Sequence, residues 1–265
     1  MQTDNSSSFL KFESISKTFN RDSVNEARVF DNFSLTIRKH EFVSIVGSNG
    51  SGKTTILNLL CGSFPLDGGK IVLDGNDITA LKEYQRAAFI GRVFQAPDKG
   101  TCPSLTILEN MSLADNKSKR FGLTMSVDRK RSDYYRQKLE LLHLGLENRI
   151  EQPVGTLSGG QRQALALLMC TMTPIELLVL DEHTAALDPA SSENVMQLTE
   201  ALVSESKITT LMVTHNLRHA VEHGNRLVMM HSGTAVVDFD GEKKQSTKVS
   251  DLLKVFNEIS VECGN

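Results

Sequence analysis

Gly47-Ser48-Asn49-Gly50-Ser51-Gly52-Lys53-Thr54 matches G-x-x-x-x-G-K-[ST] without a departure. A short β-branched apolar run, residues 42–46, enters the stretch, and residues 54–60 leave it as a helical pattern ended by Gly62. Strand, glycine loop and helix in this order predict a phosphate-binding loop. The glycines let the backbone fold tightly, so that successive N–H groups converge on phosphate oxygens. The helix that follows adds roughly half a positive charge at the same point. Lys53 is suited to reach the β- and γ-phosphates, the Thr54 hydroxyl to ligate Mg²⁺, and Thr55 to donate nearby. The alternative, a chance glycine-rich turn, is disfavoured by the matching strand and helix on either side.

Upstream, Leu10, Phe12 and Ser14 are expected on one face of a strand. Residues 20–28 are polar and turn-like, and Phe33-Ser34-Leu35-Thr36-Ile37 alternates as a half-buried strand should. Downstream, residues 71–73 with Asp74-Gly75-Asn76 read as a strand and turn. From about residue 98 to 144 strand signals fade and charged helical periodicity takes over, which reads as a helical insertion. After Pro153, strands at 177–180 and 209–213 alternate with helices after Ser158, at 191–203 and at 217–223. Two short strands within 226–238 and a helix at 251–259 close the chain. The alternation implies a mostly parallel sheet covered on both faces.

Leu177-Leu178-Val179-Leu180-Asp181 is an apolar strand that delivers an acid at its C-terminal end, where open α/β sheets bind ligands. Asp181 is the expected Mg²⁺ partner, through water. Glu182 cannot point the same way and is placed to act as general base on an attacking water. The alternative is an acidic pair that only caps the following helix.

A second glycine-rich turn, Leu157-Ser158-Gly159-Gly160-Gln161, opens a helix with no lysine of its own. Such a turn is a phosphate cradle suited to a nucleotide held elsewhere. With this signature between the phosphate loop and the acid strand, the sequence resembles the ATP-binding subunits of ABC transporters over nearly its whole length. The resemblance implies an α/β P-loop NTPase core with a mostly parallel sheet, an N-terminal antiparallel β subdomain and an inserted α-helical subdomain at roughly 98–165, in a single cassette over 1–265. It implies ATP and Mg²⁺ as ligands, with Ser158, Gly159, Gly160 and Gln161 joining the ATP contacts. Gln95, in Val93-Phe94-Gln95, falls at the position that contacts Mg²⁺ or water and senses the permease. Asp188 falls in the loop that crosses to the other subunit, and His215 at the position of the histidine that contacts the γ-phosphate. Phe19 matches the aromatic that stacks on adenine, where tyrosine is more usual in the family. Phe30 is a weaker candidate for that place.

His183 stands where the family often has proline, and is expected to be structural. The runs Asp181-Glu182-His183-Thr184-Ala185-Ala186-Leu187-Asp188 and Gly91-Arg92-Val93-Phe94-Gln95 resemble a bacterial branch. That branch is found with a solute-binding lipoprotein and a branched-chain-type permease, and is sometimes linked to aromatic amino-acid uptake. His215, His219 and His223 are spaced i, i+4, i+8, a possible metal-binding face. The favoured reading is one strand-end histidine followed by two on the surface.

In the family arrangement the signature does not reach its own phosphate loop. The resemblance therefore implies a head-to-tail homodimer with two ATPs at its interface, docked on integral-membrane permease subunits through the region near residues 95–113. The expected function is ATP hydrolysis that drives solute import. The alternatives are the motor of an exporter or extruder, and a soluble ABC ATPase outside transport. The last expects a coiled coil or two cassettes in one chain. The 265 residues carry 29 basic and 32 acidic side chains, a net charge of -3, so no nucleic-acid partner is expected. The basic runs at 117–120 and 129–131 read as solvated surface. The four cysteines lack C-x-x-C spacing and read as reduced thiols. The polar residues 1–8 show no signal peptide, and no apolar stretch spans a bilayer. These readings place the chain in the cytoplasm, peripheral on the inner face of the cell membrane.

Overall fold

The structure is a computed structural model that describes residues 8–117, 127 and 129–262, with the backbone alone for the last four. The chain begins with β1 (Ser8–Phe19), β2 (Ala27–Arg38) and β3 (Phe42–Gly47), followed by α1 (Lys53–Cys61). Next come β4 (Gly68–Leu73), β5 (Asn76–Asp77), the single turn α2 (Glu83–Arg86) and β6 (Ile90–Val93). Helices α3 (Ile107–Asp115), α4 (Ser132–Glu140) and α5 (Gly159–Thr171) precede β7 (Leu177–Asp181) and α6 (Pro189–Ser206). Then follow β8 (Thr209–Val213), α7 (Leu217–Glu222), β9 (Arg226–His231), β10 (Thr234–Asp240), α8 (Gly241–Ser246) and α9 (Val249–Glu262). The chain divides into two compact units, 1–87 with 207–265, and 88–206.

In the first unit, β1 pairs antiparallel with both β2 and β4, and β4 with β5, the antiparallel β layer expected near the N-terminus. The expected face Leu10, Phe12, Ser14 breaks at its last member. Ser14 is exposed with φ 48° at a register shift, and Ile15 takes the buried position instead. The bulge inserts one residue, which turns the remainder of the strand over. The turn read at 20–28 ends earlier, because β2 starts at Ala27. The alternation of Phe33, Leu35 and Ile37 is present, all three buried and their neighbours exposed.

The same unit holds β3 between two parallel neighbours, β8 and β9, with β10 antiparallel on β9. All six residues of β3 are buried, as a strand covered on both faces requires. Helix α1 buries Ile56, Leu57, Leu59 and Leu60 completely, each contributing about 1.5–3 kcal/mol. Its C-terminal carbonyls are satisfied from outside: the buried Arg86 guanidinium donates to Leu59 O at 2.7 Å and Leu60 O at 2.8 Å.

In the second unit, β6 and β7 run parallel, with Val93 opposite Leu180. The helical stretch packs one core that includes Ile107, Leu108, Met111, Tyr135, Leu139 and Leu165. Of the first basic run, residues 118–120 lie outside the described residues. In the second, Arg129 and Lys130 are exposed, but Arg131 departs from the surface reading because it pairs with the buried Asp115 at 3.0 Å. Among the described residues Cys61, Cys102 and Cys170 are in no disulfide, and Cys263 lies outside them. Among the described residues no helix is long and apolar enough to cross a membrane.

Candidate functional site

In the first unit, residues 47–52 leave β3 at the sheet end where β8 and β9 also finish. Gly47 has φ 157° and lies so close to β9 that an added Cβ would stand 2.1 Å from Met230 O. Gly50 and Gly52 hold φ 77° and 101°, and a Cβ on Gly52 would meet the Phe30 ring at 2.7 Å. Two contacts pin the loop from the β9–β10 hairpin: Gly233 N–H donates to Ser51 O at 3.2 Å, and the Ser48 hydroxyl lies 3.4 Å from His231 Nδ1. The first bond of α1 is Ile56 N–H to Gly52 O, and no side chain caps the helix. The first-turn N–H groups thus lack intrahelical acceptors, the usual basis of an anion site. The Lys53 ammonium is held over the loop by Gly47 O at 2.9 Å and Ser48 O at 2.8 Å. Asn49 and Thr54 are exposed, and Thr55 is half-buried.

His215 follows β8 at the same sheet end, exposed, next to Thr214, whose N–H donates to Ile45 O at 3.1 Å. The two histidines expected on the surface are instead buried. His219 and His223 are 4% and 6% exposed, and their rings meet edge to face at 5.8 Å. His219 lies on the inner side of α7 and His223 is the residue that caps its C-terminal end, one turn further along the same face. Among the described residues no group of three or more His, Cys, Asp or Glu is placed to hold a metal. Phe19 is half-buried, with Phe64 against it edge-on at 5.3 Å and the Lys17 ammonium over its ring at 5.2 Å. Phe30 is 1% exposed and packs under the loop glycine, so it presents no face for stacking.

In the second unit, Asp181 ends β7 and Gln95 lies two residues beyond β6, exposed, so both leave the same end of one parallel pair. The Asp181 carboxylate accepts from an Arg92 guanidinium nitrogen at 2.7 Å. Glu182 adopts φ 49°, which breaks the strand alternation and starts a turn closed by Ala185 N–H to Glu182 O. Asp188 caps α6, accepting from Ser191 N–H at 3.0 Å, and its bonds to Ser191 hold its carboxyl below the usual range. His183 is buried, with Nε2 3.3 Å from Thr199 Oγ1. That hydroxyl spends its hydrogen on Val195 O at 2.7 Å, so Nε2–H is the donor and His183 ties the turn to α6.

Ser158 caps α5: its hydroxyl accepts from Gln161 N–H at 3.2 Å, and Gln161 Oε1 accepts from Ser158 N–H at 3.1 Å. The glycines answer a packing need as well. A Cβ on Gly160 would stand 2.8 Å from Ser191 Cβ, and one on Gly159 3.3 Å from Leu187. Helix α5 also grips β6: Gln163 Nε2 donates to Phe94 O at 2.9 Å and Cys170 Sγ to Arg92 O at 3.2 Å.

Residues 30–185 match the family model described as ABC transporter. The chain belongs to the ABC transporter family. A "Tyrosine transport ATP-binding protein" of Clostridioides difficile is 44% identical over 93% of this chain and 98% of its own length. A "Spermidine/putrescine import ATP-binding protein" of Mannheimia succiniciproducens is 33% identical over 84% of this chain, which spans 56% of that protein. Among solved structures, a dimeric post-hydrolysis ATP-binding cassette bound to ADP and phosphate has a TM-score of 0.74 at 28% identity, covering 87% of this chain and 98% of its own. The ADP conformation of another ABC cassette shares the fold, with a TM-score of 0.79 at 24% identity over 97% and 99% of the two chains. The chain is therefore an ABC ATP-binding subunit with an α/β cassette fold.

The donor chemistry fits Mg²⁺ in such a cassette. Asp181 and Gln95, at the same end of the β6–β7 pair, can each bring an oxygen to a cation, and Mg²⁺ commonly takes one or two carboxylates with substrate phosphates rather than an all-protein cage. Two features escaped the sequence reading. Arg92 had a visible signal, a lone cation in the apolar run Ile90-Gly91-Arg92-Val93-Phe94. The hairpin residues His231 and Gly233 had none, because a contact such as that of His231 with Ser48 spans 183 residues of sequence.

Proposed function

We propose that this chain is the ATP-hydrolysing subunit of an importer, and that it powers uptake of a small solute of the amino-acid class through separate permease subunits. One observation carries the reading. The chain has two glycine-rich helix N-termini, one with a lysine folded over it and one without. A cassette with one complete and one lysine-free phosphate cradle is suited to share ATP with a second copy. In this reading ATP is held by Phe19, the loop from Gly47 to Thr55, and the partner copy's signature serine and glycines. Mg²⁺, when bound, neutralises charge on the β- and γ-phosphates, and Thr54, Asp181 and Gln95 are the residues that hold it. Glu182 takes the proton of the attacking water, His215 contacts the γ-phosphate, and Asp188 lies in the loop that crosses to the other subunit. A positioned base contributes about 10²–10⁴-fold in rate.

The helical insertion, near residues 95–113, is the part that meets the permease and places the chain on the inner membrane face. A solute-binding protein completes the complex. Import is supported by the name of one relative, spermidine/putrescine import, and the amino-acid class by that of the other, tyrosine transport. Capture of the tagged chain from detergent-treated membranes, with identification of what co-purifies, tests this. A permease together with a solute-binding protein that retains an aromatic amino acid is expected. A complex with an export-type permease and no binding protein would refute import while leaving the ATPase assignment intact.

A further inference from the structure

Arg92 is the one cation in β6, and its side chain is turned toward the end of β7. Arg92 and Asp181 are each 13% exposed, and the guanidinium lies 4.7 Å over the Phe94 ring. Only one nitrogen reaches the carboxylate, at 2.7 Å, and the buried Nε has no hydrogen-bond partner. This is a one-point, charge-assisted bond rather than a two-point fork, strong enough to hold a carboxylate and weak enough to be exchanged. The backbone that carries Arg92 is fixed separately, through Cys170 at the Arg92 carbonyl and Gln163 at the Phe94 carbonyl. The side chain can therefore give up Asp181 without moving the strand that leads to Gln95.

We propose that Arg92 competes with the nucleotide's divalent cation for the Asp181 carboxylate, and so sets how much metal is needed for nucleotide binding. The proposal rests on the reading of Asp181 as a metal partner. A guanidinium bonded to this half-buried carboxylate cancels the negative charge that a divalent cation would meet, and like charges at such range repel strongly where water is scarce. Arg92 is a positioning residue here, because it acts through Asp181. A merely structural role makes the opposite forecast: loss of Arg92 would release Asp181 from its orientation and weaken metal binding.

The test uses the full chain carrying Glu182→Gln, so that ATP persists, with Mn²⁺ as probe and ATP equimolar to protein. The free-Mn²⁺ signal in electron paramagnetic resonance reports the bound fraction without any turnover. Arg92→Met is expected to bind Mn²⁺ on the order of tenfold more tightly than the parent. Arg92→Lys, which keeps the charge, is expected to stay near the parent. Arg92→Gln, neutral and polar, serves as the second neutral variant if thermal unfolding shows that the methionine variant is misfolded. Unchanged or weaker Mn²⁺ binding in the neutral variants overturns the competition. Asp181→Asn separates the two levels. If it loses Mn²⁺ affinity while the Arg92 variants gain none, only the competition fails. If it binds Mn²⁺ as the parent does, the metal reading of Asp181 fails with it.

Discussion

Gly47→Ala isolates how closely β9 closes on the phosphate loop. The new Cβ would stand 2.1 Å from Met230 O, 3.1 Å from its carbonyl carbon and 2.8 Å from Ser51 Oγ. A carbon–oxygen contact normally needs about 3.3 Å, so the backbone must open by roughly 1 Å. Gly47 and Met230 are partners in the parallel β3–β9 ladder, and neither can retreat alone. Overpacking of this kind costs about 1–3 kcal/mol, and a side chain forced to positive φ adds about 1–2 kcal/mol. A loss of roughly 2–5 kcal/mol follows from the two terms. Gly50→Ala is the control, since Gly50 has φ 77° but nothing within 4 Å of an added Cβ. It carries only the conformational cost of about 1–2 kcal/mol. Urea unfolding of the variants measures the difference, and titration with a fluorescent ATP analogue reports the loop. Gly47→Ala should lose at least roughly tenfold in nucleotide affinity beyond Gly50→Ala. Equal stability and equal affinity in the two variants would refute the close approach of β9.

Further outcomes follow from other contacts. Arg86→Met removes the donor to Leu59 O and Leu60 O, and also to Thr79 O at 2.8 Å and Leu81 O at 2.9 Å. It should destabilise the chain by about 3 kcal/mol or more in urea unfolding, because buried carbonyls lose a charged partner. Ser158→Ala should cost about 1 kcal/mol through the lost α5 cap, measured in the same assay. Burial pushes the Cys170 thiol up to about 11. The unfolded thiol ionises near its ordinary value while the folded one keeps its proton, so this group's contribution to stability falls as pH rises from about 8.5 toward 11. Cys170→Ala should flatten that decline in unfolding curves collected across the range.

The phosphate loop, the acid strand and the signature were legible because each is a contiguous run whose chemistry is local. β8 coincides with the apolar run at 209–213, since a fully buried strand rich in β-branched residues and flanked by helical patterns has few other readings. The errors fall where tertiary contact overrides local pattern. Ser14 continues the alternation of β1 on paper, but a bulge gives its place to Ile15. His219 and His223 look like polar surface, yet α7 lies with that face against the core. The glycines of the signature suit a phosphate cradle, and Gly160 also answers to Ser191, a constraint that no spacing within residues 157–161 encodes.

The central claim is that ATP binding closes two copies of this chain and that Glu182 opens them by hydrolysis. Light scattering of the Glu182→Gln variant with Mg²⁺ and ATP, run beside a phosphate-release assay, tests it most directly. A stable dimer at twice the monomer mass with phosphate release reduced by about 10²-fold or more is the expected result. A variant that stays monomeric and releases phosphate at the wild-type rate would contradict both halves of the claim.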